Sequence, residues 1–322
     1  MPSLELLNSI ILAATENGGM GDDFFENKTR HTLPIVDMPL ICHLMNTIDL
    51  EKRIKNKYII IGEKLEDFEK LKPCEVTYKS IFSDRIGKDV HLFGQDPLTK
   101  IGTFEAVKDF LYINNNENIF PLLVIYGDTI VEEEFLKYMI DSFFDEKDES
   151  KIIWGFIKHD EEKGDIVIKP IDLSARFRTI SEEDIVNIYE YQVKKYDSFS
   201  LVHDTGIMII SREAWINIIK LIASFHRPSS LGMFSFTNIL KQAFIIKNTN
   251  IECISDLRIT FKGIVAHEGS WYGVNYPWGM LQLNKIKLLD MTKEAKWDST
   301  DIKFLYVFSP RLGFQKFPSE IN

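Results

Sequence analysis

Cysteine is scarce in this chain of 322 residues: Cys42, Cys74 and Cys253 are odd in number, far apart and without CxxC spacing. That excludes a disulfide framework or a cysteine-based zinc site as the organising feature, and a reducing, cytoplasmic setting is expected. Positive charge is short as well. The 38 basic residues are outnumbered by 48 acidic ones, for a net charge of −10, which argues against a nucleic-acid partner held through backbone electrostatics. An anionic ligand must then be met by local cations or a metal. No run of 18 apolar residues spans a bilayer, so no membrane partner is expected. The apolar residues 10–14 follow Glu5 and lack a basic lead, and they read as a buried strand, not a signal peptide.

Familiar site signatures are missing too. No Gly-Lys-Ser/Thr follows a glycine loop and no GxGxxG occurs, which removes the Walker A and Rossmann fingerprints. The seven histidines show no HxH or HxxxH spacing; His31, His43 and His203 are expected as hydrogen-bonded structural residues or pocket lining. There is no GxSxG elbow. No hexapeptide period follows residue 285, so an appended β-helix domain is not expected.

What is present is an ordinary globular composition, 45% hydrophobic and 27% charged. Short apolar runs alternate with helix-patterned segments, as in βαβ units around a largely parallel sheet. Strands are predicted at 9–14, 58–61, 121–126, 151–157 and 206–210, and helices at 40–50, 102–112, 132–144, 212–224 and 278–289. The clusters of Asp, Glu and Lys at 145–151 and 159–164 read as solvated loops. One α/β domain over 1–290 is expected, with 291–322 as a short C-terminal extension.

Two segments carry chemistry. Residues 10–21 run from an apolar strand into a loop containing Gly18, Gly19 and Gly21. Glycines let a backbone turn and approach a ligand, so the exposed amides can cradle phosphate; a plain turn is the other reading. Residues 124–128, Val-Ile-Tyr-Gly-Asp, end a strand on an aspartate. Ligands gather at the carboxyl ends of strands in open α/β sheets, where an aspartate can hold a hard cation. Capping of a following helix is the alternative for Asp128.

Read in order, the strand and loop with Leu-Pro-Ile-Val-Asp-Met-Pro-Leu-Ile at 33–41, Gln95 with Ile-Gly-Thr103, Tyr-Gly-Asp128, Glu-Lys-Gly164, Tyr-Glu190, Asp-Thr-Gly-Ile-Met208 and Trp-Tyr-Gly-Val-Asn-Tyr-Pro-Trp278 with Leu-Asn284 resemble the sugar-1-phosphate nucleotidyltransferase family. The motifs look most like those of the N-acetylglucosamine 1-phosphate uridylyltransferase domain and of archaeal sugar nucleotidyltransferases. The resemblance implies a GT-A-like doubly wound sheet, mostly parallel, with helices on both faces, of the nucleotide-diphospho-sugar transferase type. It implies a nucleoside triphosphate and a sugar 1-phosphate as partners, magnesium as cofactor, and the self-association common in this fold class.

By the same resemblance, Leu12, Ala13 and Ala14 present backbone to the base, Gly18, Gly19 and Gly21 wrap the phosphates, and Gln95, Gly102 and Thr103 read the base edge and ribose. Asp128 and Asn275 match the magnesium ligands, and Arg30 and Asp128 the catalytic pair of charges. Gly127, Gly164, Glu190, Asp204 and Thr205 match the sugar pocket.

The departures are specific. The family's Gly-x-Gly-Thr-Arg loop continues here as Met20-Gly-Asp-Asp-Phe24, without the arginine. The lysine of its Pro-Lys pair is replaced by Arg30, which keeps the charge and adds bidentate geometry. The usual Glu-Lys appears as Glu190-Tyr191, and an asparagine has become Asp204. Two rivals therefore remain: a catalytically weak paralogue that binds nucleotide or nucleotide-sugar and regulates a partner, and a nucleotide-sugar glycosyltransferase. The second lacks its Asp-x-Asp, since 127–129 read Gly-Asp-Thr.

Overall fold

The segment Leu-Asn-Ser-Ile-Ile-Leu-Ala forms strand β1 (Leu7–Ala13), and all seven residues are buried. A strand covered on both faces is the signature of a parallel sheet interior. The computed structural model describes residues 6–13, 30–36, 38–61, 78–94, 102–114, 119–158, 176–185, 202–224, 244, 258–267, 269–274, 280–281, 283–288, 304–309 and 313–318.

After a 3-10 turn at Arg30–Thr32 come the short strands β2 (Pro34–Ile35) and β3 (Met38–Pro39), helix α1 (Leu40–Leu50), β4 (Ile54–Ile61), β5 (Val90–Gly94) and α2 (Thr103–Asn114). The chain continues through β6 (Leu122–Tyr126), β7 (Thr129–Val131), α3 (Glu133–Asp145), β8 (Lys151–Lys158), β9 (Phe177–Ile180), β10 (Val202–Ile210) and α4 (Arg212–Ser224). It then forms β11 (Thr260–His267), β12 (Trp271–Gly273), β13 (Phe304–Ser309) and β14 (Gly313–Pro318). Residues 280–281 and 283–288, within the helix predicted at 278–289, are helical. Within the extension expected at 291–322, β13 and β14 pair with each other.

Among the described residues, eight strands form one sheet in the order β5-β4-β1-β6-β10-β8-β11-β9. β1 is parallel to β4 and β6, β4 to β5, and β8 to β11; β10 runs antiparallel to β6 and β8, and β9 to β11. The sheet is thus mostly parallel.

Alternating side chains sort the core into two layers, as a period of two requires. Ile10 and Leu12 of β1, Leu122 and Val124 of β6, and Trp154 and Phe156 of β8 pack with Phe104 and Phe110 of α2 and Ile218 of α4. Ile11 and Ala13, Leu123 and Ile125, and Ile153 and Ile157 pack instead with Leu44 and Ile48 of α1 and with Phe135 and Met139 of α3. Helices therefore cover both faces. The stripe that makes this work on α1 is Leu40, Ile41, Leu44, Met45 and Ile48, all buried and at helical spacing.

The topology also fixes where a ligand belongs. From β1 the chain first builds outward through β4 and β5, then crosses to β6 on the other side of β1. That reversal places a crevice at the carboxyl ends of β1 and β6.

Candidate functional site at the switch point

β1 ends at Ala13 and β6 at Tyr126. The Gly127 N–H donates to the Leu12 carbonyl at 2.9 Å, joining the two strand ends. Gly127 is needed here for space. A Cβ on it would lie 3.1 Å from His31 Cδ2, 3.2 Å from the Leu12 carbonyl oxygen and 3.3 Å from Ala13 Cβ, closer than neighbouring atoms accept without shifting.

Asp128 follows, and it does not cap a helix: the next element is β7. Its Oδ2 lies 2.7 Å from a terminal guanidinium nitrogen of Arg30, and both side chains are more than 90% buried. Burial pushes the Asp128 carboxyl above its ordinary range, and the neighbouring guanidinium opposes that rise. The positive partner offsets part of the desolvation cost that an isolated buried carboxylate would carry.

His31, next to Arg30, is fully buried, and neither ring nitrogen has a hydrogen-bond partner. Burial first, and the Arg30 charge second, lower its pKa from 6.5 to about 3. The imidazole is therefore neutral at physiological pH, and it sits against Gly127 without competing for Asp128. By contrast His43 is structural, its Nε2 lying 2.9 Å from the Ile35 carbonyl.

A second string of residues gathers around Tyr126, at the carboxyl end of β6. Gly102 adopts φ +100°, a conformation suited to glycine, and its carbonyl accepts the Ala106 N–H at the start of α2. Thr103 Oγ1 lies 3.4 Å from the Tyr126 hydroxyl. Tyr126 in turn packs on Gly206, where φ is +69° and a Cβ would stand 2.3 Å from the ring.

Gly206 belongs to a distortion in β10. Between the pairs Asp204–Phe156 and Met208–Trp154, three residues of β10 face the single Gly155 of β8. Asp204 Oδ1 accepts from Trp154 Nε1 at 3.0 Å and from the Gly206 N–H at 2.7 Å. Thr205 is buried; its hydroxyl donates to the Gly155 carbonyl at 2.8 Å and accepts from the Ile207 N–H at 3.2 Å. Both side chains thus hold the shape of the distortion.

Of the residues singled out from sequence, Leu12, Ala13, Arg30, Gly127 and Asp128 meet at the ends of β1 and β6, and Gly102, Thr103, Asp204 and Thr205 are joined through Tyr126 and Gly206. Ala14, Gly18, Gly19, Gly21, Gln95, Gly164, Glu190 and Asn275 lie outside the described residues, as do Asp22 and Asp23. Sequence reasoning expects His31 to be a hydrogen-bonded structural residue or pocket lining, and it is buried with neither ring nitrogen hydrogen-bonded; Tyr126 is not singled out as an individual site residue. Tyr126 has a signal, its place at the end of the strand inside Tyr-Gly-Asp.

For magnesium, the described residues hold no group of three or more His, Cys, Asp or Glu side chains that can bind a metal ion. They do offer the Asp128 carboxylate. That donor suits magnesium, which takes one or two protein carboxylates and completes its shell with waters and substrate phosphate. The strand ribbon β7–β12 brings the Val274 N–H onto the Asp128 carbonyl at 2.8 Å, one residue before Asn275.

No protein-family model matches the chain, and no curated protein matches it in sequence. Solved structures do match in fold, and the chain has the nucleotide-diphospho-sugar transferase fold. One neighbour is the inositol-1-phosphate CTP transferase from T. maritima, at a TM-score of 0.54 and 14% identity, covering 88% of this chain and 97% of that one. Another is a UDP-glucose pyrophosphorylase solved with UDP-glucose, at 0.53 and 15%, covering 88% and 99%. A third is the 4-diphosphocytidyl-2C-methyl-D-erythritol synthase from Anaerococcus prevotii, at 0.51 and 13%, covering 88% and 97%. Among the described residues no helix is long and apolar enough to cross a membrane.

Proposed function

We propose that the protein transfers a nucleotidyl group from a nucleoside triphosphate to a sugar 1-phosphate, with magnesium, in the cytoplasm. A phosphate oxygen of the sugar 1-phosphate attacks the α-phosphorus in line, the bond from that phosphorus to the bridging oxygen breaks, and pyrophosphate leaves. The products are the nucleotide-diphosphate sugar and pyrophosphate. Such a displacement asks the protein for positioning and charge neutralisation more than for covalent chemistry.

The observation that carries the reading is the buried Arg30–Asp128 pair at the topological switch point. In this mechanism Arg30 takes phosphate oxygens, for which its planar fork is well shaped. Asp128 supplies the hard carboxylate oxygen. Magnesium, when bound, would neutralise phosphate charge beside that carboxylate. Thr103 and the backbone at Leu12 and Ala13 line the nucleotide side, while the β10 distortion at 204–206 borders the sugar side. The fold neighbours support the reaction type, since those named above include a CTP transferase and a UDP-glucose pyrophosphorylase.

The experiment is a panel of the four ribonucleoside triphosphates and dTTP against common sugar 1-phosphates, with magnesium and a pyrophosphate readout. Pyrophosphate release that needs both substrates is the expected result. Nucleotide binding without release in any combination would favour a weak, regulatory paralogue instead.

A further inference from the structure

The pair that defines the site also presents an obstacle. Arg30 opens the 3-10 turn at Arg30–Thr32 and Asp128 lies in the turn between β6 and β7, and the two pair at 2.7 Å with both side chains buried. The guanidinium does not lose its proton in a protein, so the carboxylate stays neutralised while Arg30 is in place. His31 contributes no charge there, because it is held neutral. A divalent cation arriving alone would add two positive charges to a buried site beside a guanidinium. A polyphosphate arriving alone would add negative charge beside a carboxylate. Only the two together keep the buried charge near balance, and leaving either member of the pair alone is strongly unfavourable.

Building on the reading of the site as a nucleotidyltransferase centre, we propose that Arg30 acts as an exchange latch: it occupies Asp128 in the free protein and turns to the nucleotide's phosphates on binding, which opens Asp128 to the metal. Nucleotide and metal then bind as a coupled pair, and the free protein is a poor metal binder. In a chain of net charge −10, this keeps a lone carboxylate from collecting cations without substrate.

The test is binding of Mn2+ to the protein alone, followed by electron paramagnetic resonance. Free wild type is expected to bind weakly, Arg30→Gln about tenfold more tightly or better, and the double variant Arg30→Gln/Asp128→Asn at the wild-type level. The expected gain is the loss of one neighbouring positive charge, worth about a factor of ten or more at a buried site. Tight Mn2+ binding by the free wild type that Asp128→Asn abolishes would overturn the proposal. So would equal affinities in wild type and folded Arg30→Gln. If Arg30→Gln does not fold, Arg30→Lys, which keeps the charge with shorter reach, is expected to show an intermediate gain, and no gain overturns the latch.

The phosphate half of the exchange is read separately with tripolyphosphate in EDTA, a probe without base or metal. It should bind wild type only weakly, because Asp128 is then left without a cation, and lose about a further tenfold in Arg30→Gln; undiminished binding in the variant overturns the exchange. The two ideas fail differently. Manganese behaviour as expected with no pyrophosphate release removes the activity and leaves the latch, whereas turnover with equal manganese affinities removes the latch and leaves the activity.

Discussion

Two of the groups of cations and carboxylates among the described residues are built on different terms. At the outer edge of the sheet, Arg85 makes a two-pronged contact with Asp49 at 2.6 and 2.8 Å and also reaches Asp89, while Lys57 bridges Asp49 at 3.1 Å and Asp89 at 3.0 Å. Each cation has two carboxylates and each carboxylate two cations, and the two carboxylates and Arg85 are about a third exposed. At the switch point the Asp128 carboxylate meets the Arg30 guanidinium, both out of water, beside an imidazole whose two nitrogens have no hydrogen-bond partner. The edge network joins α1, β4 and the segment before β5 and satisfies itself. The inner pair sits in a place where burial makes each charge consequential. Closed networks of the first kind hold a structure, and sparse buried pairs of the second kind leave chemistry for a ligand.

The contrast is broken most forcefully at Asp128. Asp128→Ala strands the buried Arg30 guanidinium and should cost about 3–5 kcal/mol of stability, read from urea denaturation, along with loss of pyrophosphate release. A cost near that of a surface residue would mean that the pair is not the buried anchor its geometry describes.

The next effect is a pH dependence set by His31. Its pKa is 6.5 when unfolded and about 3 when folded, so below pH 6.5 the unfolded chain binds a proton that the native protein does not. Stability from this group is complete above pH 6.5 and is lost as pH falls toward 3, at about 1.4 kcal/mol per pH unit. Melting temperature measured from pH 7.5 to 4.5 should fall more steeply for wild type than for His31→Leu. Parallel curves would remove His31 from the comparison.

The smallest effect belongs to the edge. Arg85→Ala should cost about 1 kcal/mol or less, and the cost should shrink further in 0.5 M salt, because exposed pairs are screened. Asp89, held below the usual carboxylate range first by its hydrogen bond to Arg85 and then by Lys57, would lose most of that depression in the same variant, measurable by NMR titration.

Much of the scaffold is legible in the sequence because it rests on local pattern. Helices predicted at 40–50 and 212–224 coincide with α1 and α4, and β1, β6 and β8 contain apolar runs and are found within two residues of their predicted bounds. β10 begins four residues earlier than the prediction of 206–210, because the segment before Gly206 carries a histidine and an aspartate that pair on β8 despite their polarity. β5, β7, β9 and β12 are short, and β5, β9 and β12 are largely half-buried or exposed. Their pairing is decided by distant partners rather than by propensity.

The site divides in the same way. Glycines and an aspartate at strand ends mark the crevice, but the union of Arg30 with Asp128 joins residues 98 positions apart and leaves no local trace. The side chains of Asp204 and Thr205 illustrate the converse: residues read as sugar contacts also spend hydrogen bonds on the bend in β10 that brings them to the crevice.

The ribbon of β7 and β12 sets the order in which the protein can become functional. Val274 donates to the carbonyl of Asp128, and Trp271, Tyr272 and Gly273 pair with Val131, Ile130 and Thr129. During synthesis from the amino terminus, β1 and β6 can find each other early, but the backbone of Asp128 acquires its β12 partner only after residue 274 has emerged. A contact of such sequence separation is a late and slow event in folding. The completed site therefore serves as a receipt for the whole domain, and a nascent chain interrupted before β12 would carry the crevice without the strand that steadies its aspartate.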